Sequence, residues 1–252
     1  MAILEPSVNA DPGPRSVLVT GGSRGIGAGI TRELVARGRN VACGFATSRE
    51  AAEKMRADAP ENVLPVRYDL YDDMTADSAV SAVLHRWGRL DALILNAGQW
   101  DGGRLSEMEP ARWWRVIEGN LGGMAALTRA ALSPLAHSPS PAIVLVSSVV
   151  GLIGHAGDTA YASAKAAMVG FARSLAKEVG RDGIRVNVLA PGFVETDMTA
   201  RVPVEARKRI ARSGILRRFG TVEEIARAAV FLSEDATYCT GSVLTADGGW
   251  SL

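Results

Sequence analysis

The 252-residue chain is expected to form a single α/β domain, a doubly wound parallel sheet of about seven strands, and three observations predict it. From Arg15 onward, short β-branched runs alternate with longer amphipathic stretches, as strands joined by crossover helices do. Apolar runs such as AIVLV at 142–146 show no in/out alternation, which suits strands covered on both faces. Motifs able to carry chemistry fall at the carboxyl ends of the candidate strands, where such sheets bind ligands.

Taken in order, SVLVT at 16–20 is a β-branched strand that runs into a glycine-rich turn, and a helix over 25–37 ends at Gly38, placed as a C-terminal cap. NVACGF at 40–45 is the second strand and 48–57 its helix; VLPVR at 63–67 and 75–86 form the third pair. ALIL at 92–95 precedes one long helix over 110–135, and the Pro/Ser-rich patch 133–141 leads into the fifth strand at 142–147. A helix over 159–179, capped by Gly180, leads to strand 185–189, then a lid helix carrying the charged run 207–212, a helix at 222–232 and a last strand at 242–245. Right-handed crossovers between such units make a Rossmann-type sheet.

Composition narrows the partners. Lys plus Arg total 28 against 27 for Asp plus Glu, so no global field attracts nucleic acid or an anionic membrane. The longest apolar stretch, 142–154, is broken by Ser147 and Ser148 and is too short to span a bilayer. Cys43 and Cys239 lie far apart in apolar surroundings, so neither a disulfide frame nor a metal site is indicated, and the expected compartment is the cytoplasm. Residues 1–14 hold three prolines and lack a basic n-region, and are expected to be a flexible tail rather than a signal peptide.

TGGSRGIG at 20–27 leaves the first strand and opens a helix. There Gly21 permits a tight exit, Gly25 and Gly27 permit close approach of a pyrophosphate and of the helix to the sheet, and the helix N-terminus offers unpaired N–H groups. An ordinary glycine-rich turn is the alternative. Tyr161 and Lys165 stand four apart on a helix and share a face. A cation about 4 Å from a phenol would bring its pKa down by about three units at an effective dielectric near 20, making Tyr161 a better proton donor near neutrality. Ser148 ends the fifth strand, where a hydroxyl can hold a carbonyl oxygen. Asn120, a mediocre helix former, lies inside the long helix, where a water-satisfied kink is the bland explanation.

TGGSRGIG, Asp69 of YDL, LNAG with Asn96-Ala97-Gly98, Asn120, SSVVG with Ser148, YASAK from Tyr161 to Lys165, RVN with Asn187, and APGFVETDM at 190–198 together resemble the short-chain dehydrogenase/reductase family from about Arg15 to the C-terminus. Through APGFVETDM and TGSVLTADGG at 240–249 the chain is most similar to the 3-oxoacyl-acyl-carrier-protein reductase subgroup. The resemblance implies a ketoreductase with Tyr161 as proton donor and Lys165, Ser148 and Asn120 as its catalytic partners. It implies a dinucleotide held by Gly21, Ser23, Arg24, Gly25, Ile26, Gly27, Asp69, Leu70, Asn96, Ala97, Gly98, Tyr161, Lys165, Pro191, Gly192, Val194 and Thr196. Asn120 would anchor a water linking Lys165 to solvent, Asn187 would be structural, and the chain would form a homotetramer.

NADPH is expected over NADH. Where NAD-using relatives carry an acidic residue, the second strand ends here in Phe45, followed by Ala46, Thr47, Ser48 and Arg49, with Arg24 within reach of the same pocket. The favoured substrate is a 3-oxoacyl thioester or polyketide-like β-ketone. A free cyclic or steroid-like ketone is the alternative, and a catalytically idle dinucleotide sensor or scaffold is the rival from another class. Leu95 replaces the first Asn of the subgroup's NNAG. The basic residues of the subgroup are missing at AHSPSPA (136–142), which has only His137, and at GRDG (180–183), where Arg181 sits beside Asp182; this weighs against an acyl carrier protein as partner. A substrate lid is expected near 192–214. Trp100 follows the 96–98 turn and is a candidate substrate contact; His155 could border the substrate but better suits a structural or solvated role, and Trp113 and Trp114 suit packing or subunit contacts.

Overall fold

The structure, a computed structural model, describes residues 13–200 and 202–252; most of the expected N-terminal tail, 1–12, lies outside them. Strands β1 (Ser16–Val19), β2 (Asn40–Phe45), β3 (Val63–Arg67), β4 (Ala92–Leu95), β5 (Ala142–Val146), β6 (Arg185–Pro191) and β7 (Val243–Ala246) form one sheet in the order β3-β2-β1-β4-β5-β6-β7. Every neighbouring pair is parallel. This is the open doubly wound sheet expected from the alternating pattern. The chain order reverses between β1 and β4, and the carboxyl ends of these two strands open the crevice at the switch point.

Helices α1 (Gly25–Ala36), α2 (Arg49–Asp58), α3 (Met74–Trp87), α4 (Pro110–Ile117), α5 (Gly123–Leu135), α6 (Val150–Ile153), α7 (Thr159–Val179), α8 (Asp197–Ala200), α9 (Val204–Ser213) and α10 (Val222–Val230) cover the sheet and its rim. Successive strand residues serve opposite faces. Leu18, Leu93, Leu145 and Val186 pack with Leu127 of α5 and Met168 of α7, while Val17, Ile94 and Val144 pack with Ile30 and Leu34 of α1 and Ala229 of α10. Both faces are buried, and the strands therefore lack polar alternation.

Three expectations are corrected. The single helix over 110–135 is interrupted by a π turn, Glu118–Gly122, between α4 and α5. Side chains are excluded here: the Tyr71 phenol occupies the space beside Gly119, and a Cβ on Gly123 would lie 2.8 Å from Leu70 Cα. The helix over 222–232 likewise passes into a π turn at Phe231–Asp235. Arg185 donates to the carbonyls of Leu232 (2.7 Å), Ser233 (2.8 Å) and Ala236 (3.0 Å) there, satisfying buried acceptors of this segment. Gly38 does adopt a left-handed conformation after α1 (φ 73°), but Gly180 keeps right-handed helical angles and starts a 3₁₀ turn that closes at left-handed Gly183 (φ 75°). Among the described residues no helix is long and apolar enough to cross a membrane.

Candidate active site

The turn from β1 into α1 is shaped by what cannot be there. Gly21 and Gly25 have positive φ (61° and 50°), and a Cβ on Gly27 would meet the Gly21 carbonyl and lie 2.6 Å from Asn96 Nδ2. Helix α1 has no side-chain cap and no acidic residue in its first turn, so its N-terminal N–H groups and partial positive charge face the crevice. Arg24 is exposed at the N-cap position. Thr20 ties this turn to the end of β4: its Oγ1 accepts from Asn96 N (3.0 Å) and Ala97 N (2.9 Å), while Asn96 Nδ2 donates to Thr20 O (3.0 Å).

The other expected dinucleotide contacts stand at or after the carboxyl ends of β2 to β6. Phe45 ends β2 half-buried against the cluster of Ala28, Cys43 and Met55, with Ala46 and Thr47 exposed beyond it. After β3, Asp69 turns inward, its Oδ1 accepting from Tyr71 N (3.1 Å) beside half-buried Leu70. Pro191 closes β6, Gly192 packs on Asp247, and Thr196 lies against Gly25, where a Cβ would be 3.6 Å from Thr196 Cγ2. Val194 is buried and bridges to Gly220, so its backbone rather than its side chain is available. Thr196 Oγ1 is 3.4 Å from Thr199 Oγ1. Ser23 and Ile26 are half-buried in the glycine turn, while Arg49 is turned to Glu53 (3.6 Å) with its side chain 77% exposed.

The four candidate catalytic residues converge at the ends of β4 and β5. Helix α7 is fastened to β5 by Ser147, whose Oγ donates to Lys165 O (2.7 Å), and by close packing of Gly151 on the Lys165 backbone. This presents Tyr161 toward Ser148, whose hydroxyl is near enough to favour the phenolate. Lys165 is 3% exposed; its Nζ donates to Val146 O (3.0 Å) and lies 5.6 Å from the Tyr161 ring centroid. Asn120, inside the π turn, donates through Nδ2 to Val116 O (2.9 Å) and Gln99 O (2.7 Å), while its buried Oδ1 has no protein partner. A Cβ on Gly98 would sit 2.6 Å from that Oδ1 and 3.3 Å from Lys165 Nζ. The kink at Asn120 is thus a π turn, and the glycine at 98 leaves open a space that both the amide oxygen and the ammonium border.

The electrostatics run against one expectation. Burial pushes the Tyr161 phenol up to about 12, opposed by the Ser148 hydroxyl and aided by the charge of Asp158. Burial pushes Lys165 down to about 8. The predicted fall of the tyrosine pKa assumed a cation at about 4 Å in a screened medium; desolvation of both groups prevails instead. Tyr161 is protonated at neutral pH, and Lys165 remains largely an ammonium.

The rim contains residues the sequence reading passed over. Asp158 accepts from Trp100 Nε1 (2.7 Å) and pairs with His155 Nδ1 (3.0 Å). Trp113, like Tyr161, packs against Met108, Val116 and Ala160, and its indole donates to Thr159 Oγ1 (3.2 Å), whereas Trp114 is exposed. Arg207, expected on a solvated face, stacks over Phe219 (5.1 Å), pairs with Glu195 and donates to Thr199 O (3.3 Å). The lone signal for it was its place in the charged run. Asn187 is structural as expected, donating to Cys239 O (2.7 Å) and accepting from Ser242 N (3.2 Å).

The glycine cradle, the uncapped α1 and the unpartnered Asn120 Oδ1 fit a dinucleotide, which the N-terminus of α1 and the Tyr161–Lys165 pair would hold. A parallel sheet with this cradle and a Ser-Tyr-Lys-Asn cluster has the makeup of an oxidoreductase acting on C=O or CH–OH groups. Residues 21–251 match a family described as enoyl-(acyl carrier protein) reductase. The chain is 40% identical over 241 residues to the 3-oxoacyl-[acyl-carrier-protein] reductase FabG of Chlamydia muridarum, covering 93% of this chain and 96% of the relative. It is 39% identical to the protein of that name from Salmonella typhimurium and 38% to that of Escherichia coli, each over 233 residues, 92% of this chain and 95% of the relative. The chain belongs to the short-chain dehydrogenase/reductase family.

Proposed function

We propose that this protein is an NADPH-dependent ketoreductase acting on a 3-oxoacyl thioester or a related β-ketone. The observation that carries the reading is the convergence of the Ser148 hydroxyl and the Tyr161 phenol beside a buried lysine. The names of the relatives support the thioester. When bound, the reduced nicotinamide supplies hydride to the carbonyl carbon. Ser148 holds the carbonyl oxygen, and Tyr161, protonated at neutral pH, donates its proton to that oxygen as negative charge builds there. The Lys165 ammonium compensates the phenolate left behind, and the unpartnered Asn120 Oδ1 would hold a water through which a proton from solvent returns by way of Lys165 to Tyr161.

Gly21, Ser23, Gly25, Ile26 and Gly27 would hold the pyrophosphate, and Arg24 and Thr47, beside Phe45 and Ala46, the 2′-phosphate. Asp69 and Leu70 would flank the adenine, Asn96 to Gly98 the nucleoside, and Pro191, Gly192, Val194 and Thr196 the nicotinamide end, with residues 192–214 as the lid of a single domain, 15–252. The enzyme is read as a cytoplasmic homotetramer. The substrate reading that competes is a free ketone: His137 is turned to Ser133 O (2.8 Å), and between the two segments only the exposed Arg181, next in sequence to Asp182, carries a fixed positive charge, a sparse match for an acidic carrier.

The test is NADPH consumption with carrier-bound and short 3-oxoacyl thioesters, a 2-enoyl thioester and cyclic ketones. The expected result is turnover of both 3-oxoacyl forms with little preference for the carrier. Turnover of the 2-enoyl thioester alone, or of no carbonyl compound at all, would overturn the proposal.

A further inference from the structure

Asp158 occupies the N-cap of α7, where an aspartate ordinarily accepts a backbone N–H of the first turn. Its side chain makes no such bond. The two oxygens are turned outward instead, one to Trp100 Nε1 (2.7 Å) and the other to His155 Nδ1 (3.0 Å). Trp100 belongs to the loop after β4 and His155 to the loop before α7, so one carboxylate joins both sides of the site mouth. A backbone bond from Gly103 N to Gly157 O (2.8 Å) runs parallel to it.

The loop is built around this contact. A Cβ on Gly102 would lie 2.6 Å from Trp100 Cζ2 and 3.0 Å from Asp158 Oδ1, so the indole lies on the glycine backbone. Trp100 is 53% exposed, and an exposed indole held by a charged acceptor keeps one orientation that a free side chain would not. On the far side, His155 faces Trp250 (6.3 Å between ring centroids), and Trp250 packs edge-on to Phe193 (5.1 Å). Asp158 precedes Tyr161 by three residues, about 4.5 Å along a helix axis. The residue that holds Trp100 therefore stands about one turn before the proton donor on the same helix.

We propose that Asp158 is a positioning residue that clamps Trp100 across the mouth of the site, and that Trp100 so held limits the size of the substrate accepted. The inference rests on the ketoreductase reading for its substrate and on the two-loop geometry for its clamp. A compact acyl or ring ketone passes the rim, while a long or bulky one requires the clamp to open.

Hydrogen–deuterium exchange and a substrate series test the two halves separately. In Asp158→Ala and Trp100→Phe, amide exchange in peptides spanning 99–109 and 154–158 should quicken by about tenfold or more, while Asp158→Asn, which keeps an acceptor for the indole, should stay close to wild type. In Trp100→Ala, the ratio of kcat/KM for a long 3-oxoacyl thioester, or for a bulky cyclic ketone, to that for the smallest member of its series should rise by about tenfold or more. Unchanged exchange in both clamp variants would overturn the proposal, as would an unchanged ratio in Trp100→Ala. If wild type reduces no ketone of either series, the ketoreductase reading fails, the size-limit half fails with it, and the clamp is judged on exchange alone.

Discussion

Replacing Lys165 by Met should abolish reduction and yet relieve a cost of folding that varies with pH. In the folded protein the amine is 3% exposed and its pKa falls from 10.5 to about 8. At ~1.4 kcal/mol per pH unit, keeping it charged at neutral pH costs about 3 kcal/mol. Met has similar length and no charge, but it leaves Val146 O without the donor now at 3.0 Å, which returns about 1–3 kcal/mol of that gain. The net effect at pH 7 is thus a gain of about 0–2 kcal/mol. The pH dependence is sharper. A lysine with a lowered folded pKa binds fewer protons folded than unfolded between the two values, so wild-type stability rises with pH from about 8 toward 10.5. Below about 8 the penalty is full, and the Met variant lacks it throughout. Between pH 8 and pH 9.5 wild type should gain on the variant by about 2 kcal/mol, roughly 4–8 °C in Tm for a domain of this size. Thermal unfolding of both proteins from pH 6 to 9.5 is the assay. A Tm gap that stays constant across that range, or one that moves the other way, would refute the argument that Lys165 is a buried, desolvated charge.

Tyr161→Phe should lower turnover by at least about a hundredfold with NADPH affinity little changed, as measured by steady-state rates and cofactor fluorescence titration. Gly98→Ala should cost about 1–3 kcal/mol in chemical denaturation through overpacking, with turnover reduced, because its Cβ would press on Asn120 Oδ1 at 2.6 Å; retention of both would show that the two polar groups can separate freely. Arg24→Ala should weaken NADPH by about ten- to a hundredfold while sparing NADH; equal losses for the two cofactors would remove Arg24 from the 2′-phosphate pocket.

Much of this architecture was legible in local pattern. AIVLV, ALIL and SVLV are continuous apolar runs because both faces of the sheet are covered, and of the glycines of 20–27, Gly27 stands where there is no room for a Cβ while Gly21 and Gly25 take positive φ. The four-residue spacing of Tyr161 and Lys165 survived folding unchanged, since both lie within α7. The π turn at Asn120 was not legible, because it depends on Leu70 and Tyr71 approaching from about fifty residues away. The clamp of Trp100 by Asp158 joins loops 58 residues apart, and neither residue is unusual where it stands. Arg207 read as one charge in a run until Glu195 and Phe219 closed around it.

By itself, then, the sequence determined the strands, the helix-borne Tyr-Lys pair and the glycine cradle, which rest on periodicity and spacing within a few residues, while the family was legible as a resemblance carried by motifs along the whole chain. Only the tertiary structure decided the charge states. A cation four residues from a phenol suggests a lowered pKa, whereas burial of both groups raises Tyr161 to about 12 and lowers Lys165 to about 8. Desolvation is set by everything packed around a group, and no local spacing encodes it.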